Sequence, residues 1–208
     1  MTRRIAGLAV AVLLAGTPLA RADTLVTNGE APWEMCGECH GLTGVSAVPR
    51  FPHLAGQDRA YIEKQLRDFR AGHRANDGGQ MSGSVAELTE DGIARTAAYF
   101  SAQPPPAGAA RAGDPQAWPR RARQLIEDGD RDAGIPACRS CHAPANTSAG
   151  APFLTGQHAA YLVKQLEDFR AARRGNDAAG IMRAVAARLS DAEIAALAEA
   201  LAFPLPAQ

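Results

Sequence analysis

The feature that most constrains this chain is a pentapeptide written twice, Cys36-Gly37-Glu38-Cys39-His40 and Cys138-Arg139-Ser140-Cys141-His142. Two thiols one helical turn apart can each add across a vinyl group of haem, and the histidine that follows is then carried beneath the iron as its proximal ligand. Other readings of four cysteines fit less well. A shared zinc site needs two C-x-x-C pairs about 15 to 20 residues apart, whereas these begin 102 residues apart. A redox-active C-x-x-C belongs in a βαβ context, which is absent here. Disulfides suit an exported chain, but they give no reason for a histidine directly after the second cysteine in both copies. The pattern predicts two covalent haem c groups, attached at Cys36 and Cys39 and at Cys138 and Cys141, with His40 and His142 on the irons.

The pentapeptides belong to a longer duplication. Residues 52–77 align with 152–177 at an offset of 100, with 16 identities in 26 positions. Pro52/Pro152, Leu54/Leu154, Gly56/Gly156, Gln57/Gln157, Tyr61/Tyr161, Gln65/Gln165, Phe69/Phe169 and Arg70/Arg170 are among them. One extra residue in the second copy then brings Met81 onto Met182 and Leu88 onto Leu189. In each copy a helix is expected, from Asp58 to about Gly72 and from about His158 to Arg173, because apolar residues recur there at three- and four-residue spacing. A final helix opens at Thr89 in the first copy and, in the second, at Ser190-Asp191-Ala192-Glu193, a capping box. Another is expected from Pro119 to about Gly129, with proline in its first turn. Gly72 to Gly83 reads as a polar loop holding Met81, and Met182 falls in the matching connection.

The expected fold is therefore all-α, with an N-terminal module at 23–102 and a C-terminal one at 118–208. Residues 103–117, rich in Pro, Ala and Gly and without periodicity, read as the linker. Modules this small are marginal on their own apolar side chains. A flat haem would supply the missing core, so folding and cofactor attachment should be linked.

Residues 1–22 read as an export signal: Arg3 and Arg4, then an apolar run from Ile5 to Gly16, then Ala20-Arg21-Ala22 as a small-x-small cleavage site. The run is shorter than the roughly 20 residues a membrane span needs. Cleavage removes three arginines and no acid, leaving 19 basic against 22 acidic residues, a formal charge of −3. That balance gives no basis for nucleic-acid binding. With no second long apolar stretch, a periplasmic protein without an integral membrane segment is expected.

Met81 and Met182 are the candidates for the sixth iron ligands. They lie 41 residues after His40 and 40 after His142, in corresponding places. Met35 abuts Cys36, too close in sequence to reach the opposite haem face. The rival histidines do not repeat: His53 becomes Phe153, His73 becomes Arg173, and His158 corresponds to Asp58. All three are expected at the surface; the arginines at 70, 74, 170, 173 and 174 could pair with haem propionates or dock an acidic partner, and are expected on solvated helix faces. Tyr61 and Tyr161 fit either a partly buried core position or a hydrogen bond to a haem propionate or the facing module. A thioether favours ferrous iron relative to a second imidazole, and a six-coordinate iron leaves no position for oxygen or peroxide.

These residues resemble the two-haem class I c-type cytochromes of the cytochrome c4 family. The resemblance covers both halves of the mature chain. It rests on the two pentapeptides, on Pro52-His53-Leu54-Ala55-Gly56-Gln57 with Pro152-Phe153-Leu154-Thr155-Gly156-Gln157, on the Tyr-x-x-x-Gln-Leu-x-x-Phe-Arg helices and on the downstream methionines. It implies two small helical domains whose haems lie close enough to exchange electrons. It further implies that the Pro52 and Pro152 carbonyls accept hydrogen bonds from the proximal histidines, and that Leu54 and Leu154 pack on the haems. The expected function is that of a single-electron carrier between a respiratory donor, such as a quinol-oxidising complex, and a terminal oxidase or reductase. A diheme acceptor subunit of a periplasmic dehydrogenase, such as a flavin-containing sulfide- or alcohol-oxidising enzyme, is the alternative. Catalysis by the chain itself would need an iron with a labile sixth ligand, against which both methionines argue.

Overall fold

The computed structural model describes residues 31–106, 118–143 and 150–202. The expected export segment and residues 107–117 of the expected linker lie outside the described residues. The described chain is helical; its only bridges of β type are the isolated pairs Asp130–Ile135 and Gln157–Ala202.

In the first half α1 (Glu34–His40) carries the first pentapeptide, and α2 (Arg59–Arg70) follows a turn-rich segment. α2 starts where Asp58 accepts the Tyr61 N–H at 2.7 Å, and it buries Ile62, Gln65, Leu66 and Phe69. α3 (Gln80–Val85) is short, and α4 (Glu90–Ser101) is capped by Thr89, whose hydroxyl accepts the Gly92 N–H at 3.0 Å. The apolar faces of α2 and α4 meet in a core of Ile62, Leu66, Phe69, Val85, Ile93, Ala97 and Phe100. Trp33 stacks on Tyr99 with centroids 4.5 Å apart, tying the start of α1 to α4.

The second half repeats the plan. α5 (Arg120–Glu127) begins just after Pro119, and α6 (Arg139–His142) carries the second pentapeptide. α7 (Ala159–Arg170), a 3₁₀ turn at Ala178–Gly180, α8 (Ile181–Ala186) and α9 (Asp191–Leu201) follow. The Ser190/Glu193 capping box forms in full at the head of α9. α9 packs on α5 and α7 around Leu125, Ile135, Leu162, Ile194 and Leu197.

In both halves the loop after the proline is stitched to the end of the last helix. Gly56 N–H donates to Phe100 O at 3.0 Å, and Gly156 N–H to Leu201 O at 2.8 Å. Gly56 has a φ of +68°, and Pro105 lies against it where a Cβ would stand. A side chain there would be strained and would push Pro105 away.

The sequence places Met81 and Met182 in loops, but each is the second residue of a short helix, α3 or α8. Both helices begin after a glycine in left-handed conformation, Gly79 or Gly180. Six residues are too few to display an apolar stripe, so periodicity does not reveal them.

Candidate haem-binding site

The placement of the site begins with two hydrogen bonds. His40 Nδ1 lies 2.9 Å from Pro52 O, and His142 Nδ1 lies 2.8 Å from Pro152 O. A carbonyl can only accept, so in each ring Nδ1 carries the proton and Nε2 keeps its lone pair. Burial holds both histidines below the usual imidazole range, partly offset by the carbonyls, and so keeps the rings neutral. A neutral imidazole with a free Nε2 is the form that binds iron.

Both rings border one continuous apolar cavity that runs through the two halves. In the first half it is lined by Cys36, Cys39, Pro52, Leu54 and Met81, and in the second by Cys141, Pro152, Leu154 and Met182. Cys138 packs at the edge of the second core. Burial pushes the Cys36 and Cys138 thiols up to about 11, which disfavours the thiolates that a zinc site or redox pair uses. All four cysteines are free.

Three observations test whether haem suits this cavity. Its wall is mostly apolar, with a histidine and a methionine from each half. Arg74 and Arg174 line it, are only 5% exposed each, and contact no carboxylate among the described residues. Buried guanidiniums suit an occupant with acidic groups. Thr96 on α4 presents a buried Oγ1 without a partner to the same space. Porphyrin, flat and apolar with carboxylates on one edge, fits all three.

The two halves meet through reciprocal side-chain contacts, some of them from residues expected at the surface. Gln57 Nε2 donates to Phe153 O at 3.0 Å while Gln57 Oε1 accepts the Phe153 N–H at 2.8 Å. Gln157 grips His53 the same way, at 3.0 and 2.9 Å. Each glutamine thus holds the residue following the other half's Pro52 or Pro152. Arg74 and Arg174, expected on solvated faces, are buried between the halves. Arg74 donates to Gln65 at 2.8 Å and to Gln165 at 3.0 Å, and its partner Arg174 returns the pattern. Each guanidinium also reaches the opposite tyrosine, Tyr161 at 3.0 Å or Tyr61 at 3.2 Å. Both tyrosines are partly buried and also contact the facing module, so two of the readings open for them hold together. Burial works against ionising Tyr61, but Arg174 and Arg74 outweigh it and draw its hydroxyl below the usual range.

His53 and His158, also expected at the surface, are each 5% exposed and face one another with ring centroids 3.9 Å apart. Ser46 fixes them: its N–H donates to His53 Nδ1 at 3.0 Å, and its carbonyl accepts from His158 Nε2 at 3.0 Å. His73 does lie in solvent. Neither histidine repeats in the other half, and non-repetition says nothing of burial, because an interface position need not be alike in both copies. Gln65 and Gln165 did leave a signal: a glutamine on an otherwise apolar stripe, in both repeats.

The Cytochrome c family model matches residues 127–201. Over 95% of its length the chain is 40% identical to cytochrome c4 of Azotobacter vinelandii, of which it covers 96%. It is 38% identical to a thiosulfate dehydrogenase electron acceptor of Stutzerimonas stutzeri, covering 91% of that protein with 94% of itself. The crystal structure of reduced recombinant cytochrome c4 from Pseudomonas stutzeri superposes with a TM-score of 0.66 at 42% identity, spanning 81% of this chain and 93% of that one. With two helical halves facing one apolar cavity and near-complete coverage of such relatives, the chain belongs to the cytochrome c4 family, two-domain class I electron-transfer cytochromes carrying covalent haem c.

Proposed function

We propose that the chain is a periplasmic two-haem carrier, passing single electrons from a quinol-oxidising complex to a terminal oxidase or reductase. The domains are taken as 23–102 and 118–208, joined by 103–117, with 1–22 removed on export. Cys36 and Cys39, and Cys138 and Cys141, hold the two haem groups as thioethers. His40 and Met81 serve one iron, and His142 and Met182 the other. Bound haem c supplies a one-electron ferric/ferrous couple. Pro52 and Pro152 orient the proximal rings through Nδ1, while Leu54 and Leu154 close the apolar wall and exclude water.

The observation that carries this reading is the repeated pairing of an Nδ1-bonded histidine with a methionine on one apolar cavity. Two protein ligands per iron leave no place for a substrate, which favours a carrier. A second reading follows from the 38% identity to a thiosulfate dehydrogenase electron acceptor: this chain would then accept electrons from a periplasmic dehydrogenase. Stopped-flow reduction of the purified oxidised protein separates the two. Fast reduction by a quinol-oxidising complex, with slow reduction by a thiosulfate dehydrogenase, is expected; the reverse order selects the second reading. Native protein that binds carbon monoxide at either iron contradicts both.

A further inference from the structure

The segments that deliver the two methionines are anchored from the opposite half of the molecule. Lys164 Nζ on α7 donates to Asn76 O at 2.5 Å, and Asn76 Nδ2 donates to Gln165 Oε1 at 3.1 Å and Asp168 Oδ2 at 2.7 Å. The mirror set holds Asn176: Lys64 Nζ donates to its carbonyl at 2.8 Å, and its Nδ2 donates to Gln65 Oε1 at 3.0 Å and Asp68 Oδ2 at 2.6 Å. Each asparagine is followed by an aspartate that ties down the methionine helix of its own half. Asp77 accepts the backbone N–H of Gly79 at 3.3 Å and that of Met81. Asp177 accepts the Arg183 N–H at 3.0 Å and its Nε at 2.8 Å.

The helices themselves pack on their own halves, α3 on α2 through Met81 and Val85 and α8 on α7, but the connections that lead into them are open. In the first half Asn76 and Asp77 are half-buried, whereas Ala75 and the run Gly78–Gln80 are exposed. Gly78 and Gly79 have φ of +73° and +86°, so the step into α3 is made by residues with wide conformational freedom. Within its own half Asn76 also accepts from Arg74 Nε at 3.1 Å, and Arg74 itself spans the interface. The donors, acceptors and receiving residues (64, 65, 68, 76 and 77) all recur unchanged 100 residues later.

We propose that each methionine is positioned from the facing domain: Lys164, Gln165 and Asp168 set Met81 through Asn76-Asp77, and Lys64, Gln65 and Asp68 set Met182 through Asn176-Asp177. These are positioning residues, and the inference rests on Met81 and Met182 being iron ligands. A ligand on a short helix entered through an open turn serves only if its segment is held to within about 0.5 Å, and here the side chains that hold each asparagine ahead of that turn come largely from the other half. Loosening the domain interface therefore loosens both sixth ligands, and a partner that shifts one domain acts on the iron of the other.

The test uses full-length protein matured with both haems. Proton NMR of the reduced state reads each iron-bound methionine through its upfield-shifted methyl resonance, assigned with Met81→Ala and Met182→Ala. In Asp168→Ala, and in Lys164→Ala, the Met81 methyl signal weakens and carbon monoxide binds the first iron about tenfold more readily, as expected from losing one or two hydrogen bonds. The Met182 signal stays unchanged. Asp68→Ala does the reverse, and Asp168→Asn, which keeps an acceptor for Asn76, restores most of the Met81 signal. A change confined to the mutated domain's own methionine, an equal change at both, or none overturns the proposal. If the unaltered protein shows fewer than two methionine signals, the ligation reading itself has failed; if it shows both and the variants act within their own domain, only the cross-domain positioning has failed.

Discussion

At the scale of single residues, the buried histidine pair makes a clear prediction. Burial, reinforced by the neighbouring His158 and His40, depresses His53 to about 4. The unfolded chain takes up a proton near pH 6.5, whereas the folded one resists until about 4. Stability is thus full above pH 6.5 and is lost as pH falls through that window, at up to about 1.4 kcal/mol per pH unit for this group. His53→Phe, which copies Phe153 of the second half, should flatten the fall of the melting temperature between pH 6.5 and 4; an unchanged slope would remove His53 as its source. The methionines can be tested as directly. Met182→Ala should open the second iron to carbon monoxide and leave the first closed, and two closed irons would mean that another group is the ligand.

At the scale of elements, the helix ends were the most legible part of the sequence, because a cap needs only one side chain and a local backbone. Asp58, Thr89 and Ser190 stand where the pattern puts them. Thr89→Ala should cost about 1 kcal/mol and lower the melting temperature of the first domain, read by calorimetry; no change would mean that α4 is held by its packed face alone. The stripes of α2 and α7 were also readable, since Ile62, Leu66 and Phe69 and their counterparts follow helical spacing. The methionine helices were not, being too short to carry a period. Nor was the burial of Arg74 and Arg174, because charge normally signals solvent. Each guanidinium lies between a ring of its own half, Phe69 or Phe169 at 4.5 Å, and the tyrosine and glutamine of the facing half. Apart from the glutamine on each apolar stripe, contacts between domains leave little local signature, because the facing surface is remote in sequence.

At the scale of the whole molecule, the duplication explains how the halves can fit each other. Two copies of one surface meet about a pseudo-twofold axis, so most residues that reach across are answered by their twins, as Gln57 is by Gln157; His158, which bonds Ser46, is an exception because its counterpart is Asp58. Such self-complementary contacts resemble those of a symmetric dimer whose two subunits share one chain. Gln157→Ala removes two buried interdomain hydrogen bonds, each worth about 1 kcal/mol net, and leaves two backbone groups of His53 unpaired. Calorimetry should show one unfolding transition in the native protein and a separation into two in the variant. A single transition with an unchanged midpoint would show that the glutamine clasp does not couple the halves. The expectation that small modules lean on their cofactor belongs here too, because the cavity lies between the helices of each half and joins the two.

On the proposed reading two irons are bound per chain, each closed on both axial sides and each able to hold one electron. A redox titration of the purified protein, followed optically and combined with haem quantitation, tests it most directly. Two haem c groups per polypeptide, two one-electron steps, low-spin spectra throughout and, in the oxidised form, the weak far-red band of methionine-bound ferric haem are expected. A single haem per chain, or a high-spin iron in the native oxidised protein, would contradict it.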